Sequence, residues 1–119
     1  MDAAAKRRVL LIDDDATDLR IVAKMLREDG YLVETALDGA AALSRLAKET
    51  HLDALVVDYR LPHVDGLSVA RYARTRFPHL AILLVTSWPE QVADGARELS
   101  PPALVLPKPL VYAELAAEL

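Results

Sequence analysis

The stretch LDALVVDYRLPHVDG, residues 52–66, decides the fold that the sequence predicts. Its first half is an apolar run rich in β-branched residues, which is typical of a strand buried on both faces in a parallel sheet. The run ends at Asp58, and turn residues follow, because a proline disfavours helix in the residue before it and Asp-Gly permits a tight reversal. Asp58 is therefore predicted at the carboxyl end of a central strand, where open α/β sheets place their ligands.

Short apolar strands and amphipathic helices alternate along the rest of the chain. Apolar runs predict four further strands, over residues 9–12, 32–36, 80–86 and 103–106. Helical spacing of apolar residues predicts five helices, over residues 16–29, 39–48, 67–76, 89–99 and 110–119. Asp15, Asp38 and Asp65 are expected to cap the first three helices. This alternation predicts one α/β domain with a parallel sheet and helices on both faces.

Three of the predicted helices have distinctive features. The third is expected to expose Arg71, Arg74 and Arg76, because its apolar residues lie on the opposite side. The fourth contains Gly95, which in a helix interior costs about 1 kcal/mol relative to alanine and makes this the weakest helix. The fifth runs to the last residue of the sequence, so we expect it to be cut short.

Length and composition narrow the function classes. The 119 residues suit a single domain, and the formal net charge of −4 provides no positive surface for nucleic acid. Without cysteine, neither disulfides nor thiolate metal sites can form. The apolar run at residues 80–85 is far shorter than the roughly 20 residues that span a bilayer. We therefore expect a cytoplasmic protein that binds neither nucleic acid nor a membrane directly.

Polar residues follow four of the five predicted strands. If the second strand lies at the edge of the sheet, these residues converge at one crevice; they are Asp13, Asp14, Asp58, Thr86, Ser87 and Lys108. Three neighbouring carboxylates repel one another unless one is protonated or a cation neutralises them. Together with Lys108 they carry a charge of −2, which one divalent ion would cancel. Oxygen ligands without histidine or cysteine favour a hard cation, and a phosphoryl partner favours Mg²⁺ over Ca²⁺.

Four motifs in this order resemble the receiver domain of two-component response regulators, and the resemblance covers the whole chain. The motifs are VLLIDD at residues 9–14, VVDYRLPxxDG at 56–66, AILLVTS at 81–87 and VLPKP at 105–109. The resemblance implies a flavodoxin-like, doubly wound, five-stranded parallel sheet in the strand order 2-1-3-4-5, with helices on both faces. It also implies that residues 1–119 form a single receiver domain.

The resemblance assigns roles to the residues at the crevice. Asp58 is implied as the acceptor of a phosphoryl group from a phosphohistidine donor, and Thr86 and Lys108 as contacts of the phosphoryl oxygens. A Mg²⁺ or Mn²⁺ ion is implied with Asp14 and Asp58 as direct ligands. Asp13 would bind it through water, and the backbone carbonyl of Arg60 would complete this set. The peptide bond between Lys108 and Pro109 is expected to be cis, as in the family.

The resemblance also implies partners. The donor is expected to be a sensor histidine kinase or a histidine phosphotransfer protein, docked near the Asp58 crevice and the first helix. Output to a downstream effector or an attached output domain, and any homodimer, would use the face of the fourth helix, fifth strand and fifth helix. No external metabolite is expected to be turned over. A stand-alone regulator, a transcription-factor domain and the receiver of a hybrid kinase all remain open.

The sequence departs from the family at Val105. Many receivers carry an aromatic residue three positions before the lysine, and that residue swings inward when the threonine moves. Valine cannot do this, so the signal would pass through the loop after Thr86, through the helix with Gly95 or to another surface. Trp88 and Arg60 are expected to flank the acyl phosphate and hinder attacking water. Ser87 would either donate to the phosphate or simply satisfy a need for a small residue.

Two other functions remain open. The segment DDDAT, residues 13–17, matches the D-x-D-x-T pattern of haloacid-dehalogenase-like phosphatases, in which Asp13 would be phosphorylated and Asp15 would act as acid or base. That alternative leaves Asp58 without a role, and no acidic pair follows Lys108. The other alternative is a phosphorylation-independent interaction module on a receiver scaffold. Val105 favours this alternative, and the intact aspartate, threonine and lysine set opposes it.

Overall fold

A computed structural model describes residues 6–119 of the chain; residues 1–5 of the predicted domain lie outside the described residues. Strands and helices alternate strictly along the described chain, as predicted. The elements are β1 (Arg8–Ile12), α1 (Ala16–Glu28), β2 (Leu32–Ala36), α2 (Gly39–Lys48), β3 (Ala54–Asp58), α3 (Gly66–Arg76), β4 (Ala81–Thr86), α4 (Pro89–Glu98), β5 (Leu104–Pro107) and α5 (Tyr112–Ala117).

The five strands form one parallel sheet in the order β2-β1-β3-β4-β5. β3 pairs with β1 on one side and with β4 on the other, and all five of its residues are buried. β2 lies at an outer edge, which leaves the other four strands contiguous. The predicted fold class and strand order are both confirmed.

The sheet is covered by helices on both faces, because successive side chains of each strand point to opposite sides. On one face, Leu10, Leu55 and Leu84 belong to an apolar cluster that includes residues of α2, α3 and α4. On the other face, Leu11 and Val56 belong to a second cluster that includes residues of α1 and α5. In the central strand β3, the one polar residue is Asp58 at its end.

The three predicted aspartate caps are confirmed. Asp15, Asp38 and Asp65 each accept hydrogen bonds from backbone N–H groups in the first turn of α1, α2 and α3, respectively. A cap of this kind contributes about 1 kcal/mol to stability. It also fixes the point at which each loop from the sheet enters its helix.

The expectation that Arg74 is exposed is wrong. Its relative exposure is 8%, whereas Arg71 and Arg76 are exposed as predicted. The guanidinium of Arg74 donates to the backbone carbonyl oxygens of Leu80 at 2.6 Å and Pro78 at 3.3 Å, in the turn that leads to β4. A long cationic side chain can bury its apolar stem when its head finds acceptors, and the helical pattern does not reveal those acceptors.

The last helix is shorter than predicted at both ends. Val111 has extended backbone at the N-cap, so α5 begins only at Tyr112. At the other end, the N–H of Glu118 bonds to the carbonyl oxygens of Ala116 and Leu115 instead of continuing the helix. The other helices and strands begin and end within one residue of their predicted bounds. Across residues 6–119, none of the helices has the length and hydrophobicity that crossing a bilayer requires.

Tyr112 ties the start of α5 to the end of α1. Its hydroxyl donates to Oδ2 of Asp29 at a distance of 2.6 Å. Burial, together with the hydrogen bond to Asp29 and the negative charge of that carboxylate, raises the pKa of Tyr112 to about 12. The neutral phenol is therefore the form that stabilises the fold.

Replacing Tyr112 with phenylalanine tests this contact. The pKa of the phenol is raised in the folded state, so its contribution is complete below about pH 10 and is lost as the pH rises through about 12. Tyr112→Phe is expected to lower the free energy of unfolding at pH 8 by roughly 0.5–1.5 kcal/mol. It is also expected to flatten the decrease of wild-type stability above pH 10, as followed by urea denaturation. Tyr72→Phe is the control, and equal alkaline slopes for wild type and Tyr112→Phe would contradict the assignment.

Candidate functional site

Asp58 and Lys108 form the central contact at the carboxyl edge of the sheet. Asp58 is the last residue of β3 and is 5% exposed. The ammonium Nζ of Lys108 donates to its Oδ2 at 2.7 Å. The backbone N–H of Lys108 donates to the carbonyl oxygen of Thr86 at 2.9 Å, which holds the loop after β5 against the end of β4. The structure thus brings together two residues that are 50 positions apart in the sequence.

Two further carboxylates lie beside Asp58. Asp13, Asp14 and Asp58 each offer an oxygen within 4.8 Å of the others. The backbone N–H of Asp13 donates to the carbonyl oxygen of Ala36, and its Oδ1 accepts from the N–H of Asp15 at 3.0 Å. Asp13 is thereby held between the end of β2 and the start of α1, whereas Asp14 is exposed. With Lys108, the formal charge of this group is −2.

Burial and neighbouring charges both shift the pKa values of the groups at this site. Burial is the largest influence on Asp13 and raises its pKa from 3.8 to about 6. The charges of Asp58 and Asp14 act in the same direction, while the hydrogen bond from Asp15 and the charge of Lys108 oppose them. Burial alone would lower the pKa of Lys108, but its hydrogen bond to Asp58 and the surrounding carboxylates raise it above its ordinary value. The group therefore favours the binding of positive charge.

Thr86 and Trp88 lie at the end of β4, on the same edge of the sheet as Asp58. Thr86 is 1% exposed, and its hydroxyl accepts a hydrogen bond from the backbone N–H of Trp88 at 3.0 Å. The hydroxyl hydrogen is not used in that bond and remains able to donate. Ser87, between them, is exposed.

The indole ring of Trp88 contacts the guanidinium of Arg60. Cζ of Arg60 lies 4.3 Å from the centre of the ring, a cation–π contact that is worth about 0.5–1 kcal/mol at an exposed site. Arg60 follows Asp58 by two residues, and Trp88 follows Thr86 by two. The pair therefore joins the loops that leave β3 and β4.

Gly66 fixes the backbone at Asp58 in a way that sequence reasoning missed. Its N–H donates to the carbonyl oxygen of Tyr59 at 2.7 Å, which closes the loop containing Arg60. A Cβ atom at residue 66 would lie 2.2 Å from the carbonyl oxygen of Asp58, so only glycine fits. The Asp-Gly pair indicated a turn, but the sequence contains no signal for this approach to β3.

The remaining predicted residues have clear positions. The Lys108–Pro109 peptide bond is cis, as expected. Val105 is partly buried and packs against the apolar cluster on the α4 side of the sheet. Asp15 has its carboxylate turned to the backbone of α1, where it accepts from the N–H groups of Thr17 and Asp18.

A doubly wound parallel sheet with three carboxylates, a lysine and a buried threonine at its strand ends defines a receiver-type signalling domain. The chain matches the family model described as the response regulator receiver domain over residues 9–119. It belongs to this family, which acts in two-component systems.

Relatives and solved structures agree with this assignment. The chain is 38% identical over 118 residues to response regulator MprA of Mycobacterium ulcerans (strain Agy99), covering 94% of this chain and 48% of the relative. MprA of Mycobacterium leprae (strain TN) is also 38% identical, at 94% and 49% coverage. The chain thus spans about half the length of the curated relatives it matches.

Two crystal structures show the same fold. A receiver protein from Sinorhizobium medicae WSM419 has a TM-score of 0.86 at 30% identity, covering 95% of this chain and 90% of that one. Chemotaxis protein CheY4 of Vibrio cholerae has a TM-score of 0.83 at 27% identity, covering 95% of both chains. Receiver domains typically bind Mg²⁺ at an acidic cluster, and Asp13, Asp14 and Asp58 form an acidic cluster here.

Removing one carboxylate from the cluster is expected to stabilise the fold in the absence of divalent ions. A pKa increase from 3.8 to about 6 corresponds to about 3 kcal/mol, and solvent screening of the half-exposed Asp13 reduces this to on the order of 1 kcal/mol. Asp13→Asn is therefore expected to raise the free energy of unfolding at pH 7.5 with a chelator present, measured by urea denaturation. Asp94→Asn, at an exposed position in α4, is the control. A destabilised Asp13→Asn variant would contradict a net cost of holding the charged, partly buried carboxylate of Asp13 in the folded state.

Proposed function

We propose that this chain is a phosphorylation-controlled switch that accepts a phosphoryl group on Asp58 and in response changes a protein-binding face. The donor is the phosphohistidine of a sensor histidine kinase or of a histidine phosphotransfer protein. The observation that carries the proposal is the 2.7 Å contact between buried Asp58 and Lys108 within a cluster of carboxylates. If Asp58 and Lys108 formed only a structural ion pair, two further carboxylates beside them would add repulsion and no stability.

In the proposed phosphoryl transfer, the protein's own contributions come from residues at this edge of the sheet. A carboxylate oxygen of Asp58 attacks phosphorus, the O–P bond forms as the N–P bond of the donor breaks, and the imidazole leaves with a proton from solvent. A carboxylate needs no general base for this attack, so positioning and charge neutralisation remain as the work of the protein. Lys108 would bind the phosphoryl oxygens as a point charge. Thr86 would donate its free hydroxyl hydrogen to the same group.

The oxygen ligands around Asp58 fit Mg²⁺ or Mn²⁺. We assign Asp14 and Asp58 as direct ligands, Asp13 as a ligand through water and the backbone carbonyl of Arg60 as the remaining protein ligand. When bound, such an ion offsets the −2 charge of the cluster and neutralises phosphoryl oxygens. The fit rests on the three carboxylates within 4.8 Å and on the raised pKa of Asp13.

A groove next to the site supports docking of the donor against α1. It has a volume of about 260 Å³ and is lined by Asp13 and Lys108 on the site's side and by apolar residues such as Ile21, Met25 and Leu110. Ile21 is 53% exposed although it is large and apolar. A donor helix lying here would place its phosphohistidine near Asp58.

The remaining parts of the proposal concern output. We place it on the face of α4, β5 and α5, toward an effector or an output domain outside the given sequence, and any homodimer would use the same face. Leu104 at the exposed edge of β5 supports this placement. Residues 1–119 would then act as one cytoplasmic receiver domain that turns over no external metabolite and binds neither nucleic acid nor a membrane.

One alternative function uses the same receiver fold without phosphorylation of Asp58. A phosphorylation-independent interaction module is favoured by Val105, which cannot perform an aromatic rotamer switch. The phosphatase alternative is disfavoured by Asp15, because its carboxylate caps α1 instead of pointing to Asp13 as an acid or base.

Incubation with a small phosphodonor and Mg²⁺ tests the proposal directly. Wild type is expected to gain the mass of one phosphoryl group, because Asp58 is the nucleophile, and Asp58→Ala to gain none. Asp94→Ala, which removes an exposed carboxylate on α4, is the matched control and is expected to behave as wild type. Mapping of the acyl phosphate to Asp13 would support the phosphatase alternative, and no gain by wild type would support the phosphorylation-independent module.

Replacing Trp88 tests whether the Arg60–Trp88 pair protects the acyl phosphate from water. Loss of a contact worth about 0.5–1 kcal/mol corresponds to roughly a two- to fivefold change in rate. Trp88→Ser is therefore expected to shorten the lifetime of phosphorylated protein by that factor, followed by the decay of the phosphorylated mass after removal of the donor. Leu32→Ser is the control, because Leu32 on the edge strand β2 is as exposed as Trp88, at 42%. An unchanged or longer lifetime in Trp88→Ser refutes the protective role.

A further inference from the structure

The first turn of α3 packs tightly against two neighbouring elements, β3 and α4. On one side Gly66 approaches β3 so closely that a Cβ would lie 2.2 Å from the carbonyl oxygen of Asp58. On the other side its neighbour Leu67 packs onto α4, where a Cβ at Gly95 would lie 2.4 Å from Cδ2 of Leu67. Gly95 therefore allows a close approach of two helices, which explains a glycine in the middle of α4.

We propose that Leu67 transmits the phosphorylation of Asp58 to α4 through its contact with Gly95. The inference rests on the proposed function, since it needs Asp58 to be modified. It gives the domain a route to its output face that does not use residue 105, where valine replaces the family's aromatic residue.

The packing explains why motion would be passed on and not absorbed. Gly66 and the Asp58 carbonyl have no space between them, so a shift of the backbone at Asp58 moves the start of α3. The end of the Leu67 side chain in turn packs at Gly95, where α4 has no Cβ to hold it away. Closely packed contacts of this kind transmit displacements because interiors have low compressibility.

α4 is also the helix that is weakly held at its start. Its N-cap residue Trp88 makes no side-chain hydrogen bond to the helix, in contrast to the aspartate caps of α1, α2 and α3. Val92 and Ala96 are its buried residues, whereas α3 buries five. A helix with few buried contacts shifts or opens at low free energy, so a push from Leu67 is sufficient to bias its position.

Hydrogen exchange of the α4 amides, with and without acetyl phosphate and Mg²⁺, tests the route. The intact mass of each sample reports phosphorylation separately. In wild type we expect phosphorylation to change exchange in α4. In Leu67→Ala, we expect this change to shrink by about threefold or more, with the mass gain undiminished. Leu43→Ala is the matched control, because it shortens another partly buried leucine of the same apolar cluster, on α2.

Gly95→Ala provides a second test that does not depend on loosening the core. Alanine favours helix and would protect α4 equally in both states. Its Cβ displaces Leu67, so we expect a smaller difference between the states. Retention of the full wild-type difference in Leu67→Ala overturns the inference. A wild type that gains mass without any change in α4 also overturns it and leaves the proposed function standing, whereas absence of the mass gain refutes the proposed function and the inference together.

Discussion

The ion pair between Asp58 and Lys108 is the contact on which the site depends. It exists because a parallel sheet brings the carboxyl ends of its strands to one edge, and because β3 lies between β1 and β4. Residues 13, 14, 58, 86 and 108, which are spread over most of the sequence, thereby become neighbours. The ammonium group neutralises only one of three carboxylates. The unbalanced negative charge favours a cation at this edge, and receiver domains typically bind Mg²⁺ at an acidic cluster.

The aliphatic core supports this edge by packing the strands and helices closely together. β3 is buried along its whole length, and two apolar clusters fill the space between the sheet and its two helical layers. Close packing of this kind keeps side chains in single rotamers and makes backbone positions well defined. Asp58 can be buried next to like charges because the ammonium group of Lys108 pairs with it at 2.7 Å.

The fold and the acidic cluster could be predicted from the sequence because both depend on local patterns. Apolar runs that end in carboxylates indicate strands and mark their polar ends. The strand order that the family resemblance implies then brings those ends together. Contacts between side chains and distant backbone leave no such pattern. Arg74 therefore looked exposed although it bonds to the turn before β4, and Gly95 looked like a weakness although it accommodates Leu67. The length of α5 was missed for a different reason, since the extended backbone of Val111 and local backbone hydrogen bonds of Glu118 set its ends, and apolar spacing does not.

The dependence of stability on Mg²⁺ tests the account most directly. An ion that binds only the folded state adds about 2.7 kcal/mol to the free energy of unfolding when its concentration is 100 times the dissociation constant. Urea denaturation of wild type is expected to show a rise with Mg²⁺ concentration that saturates, and Asp14→Asn to show a much smaller one. A wild-type stability that does not respond to Mg²⁺, or an equal response in Asp14→Asn, would contradict the claim that the gathered carboxylates form a cation site.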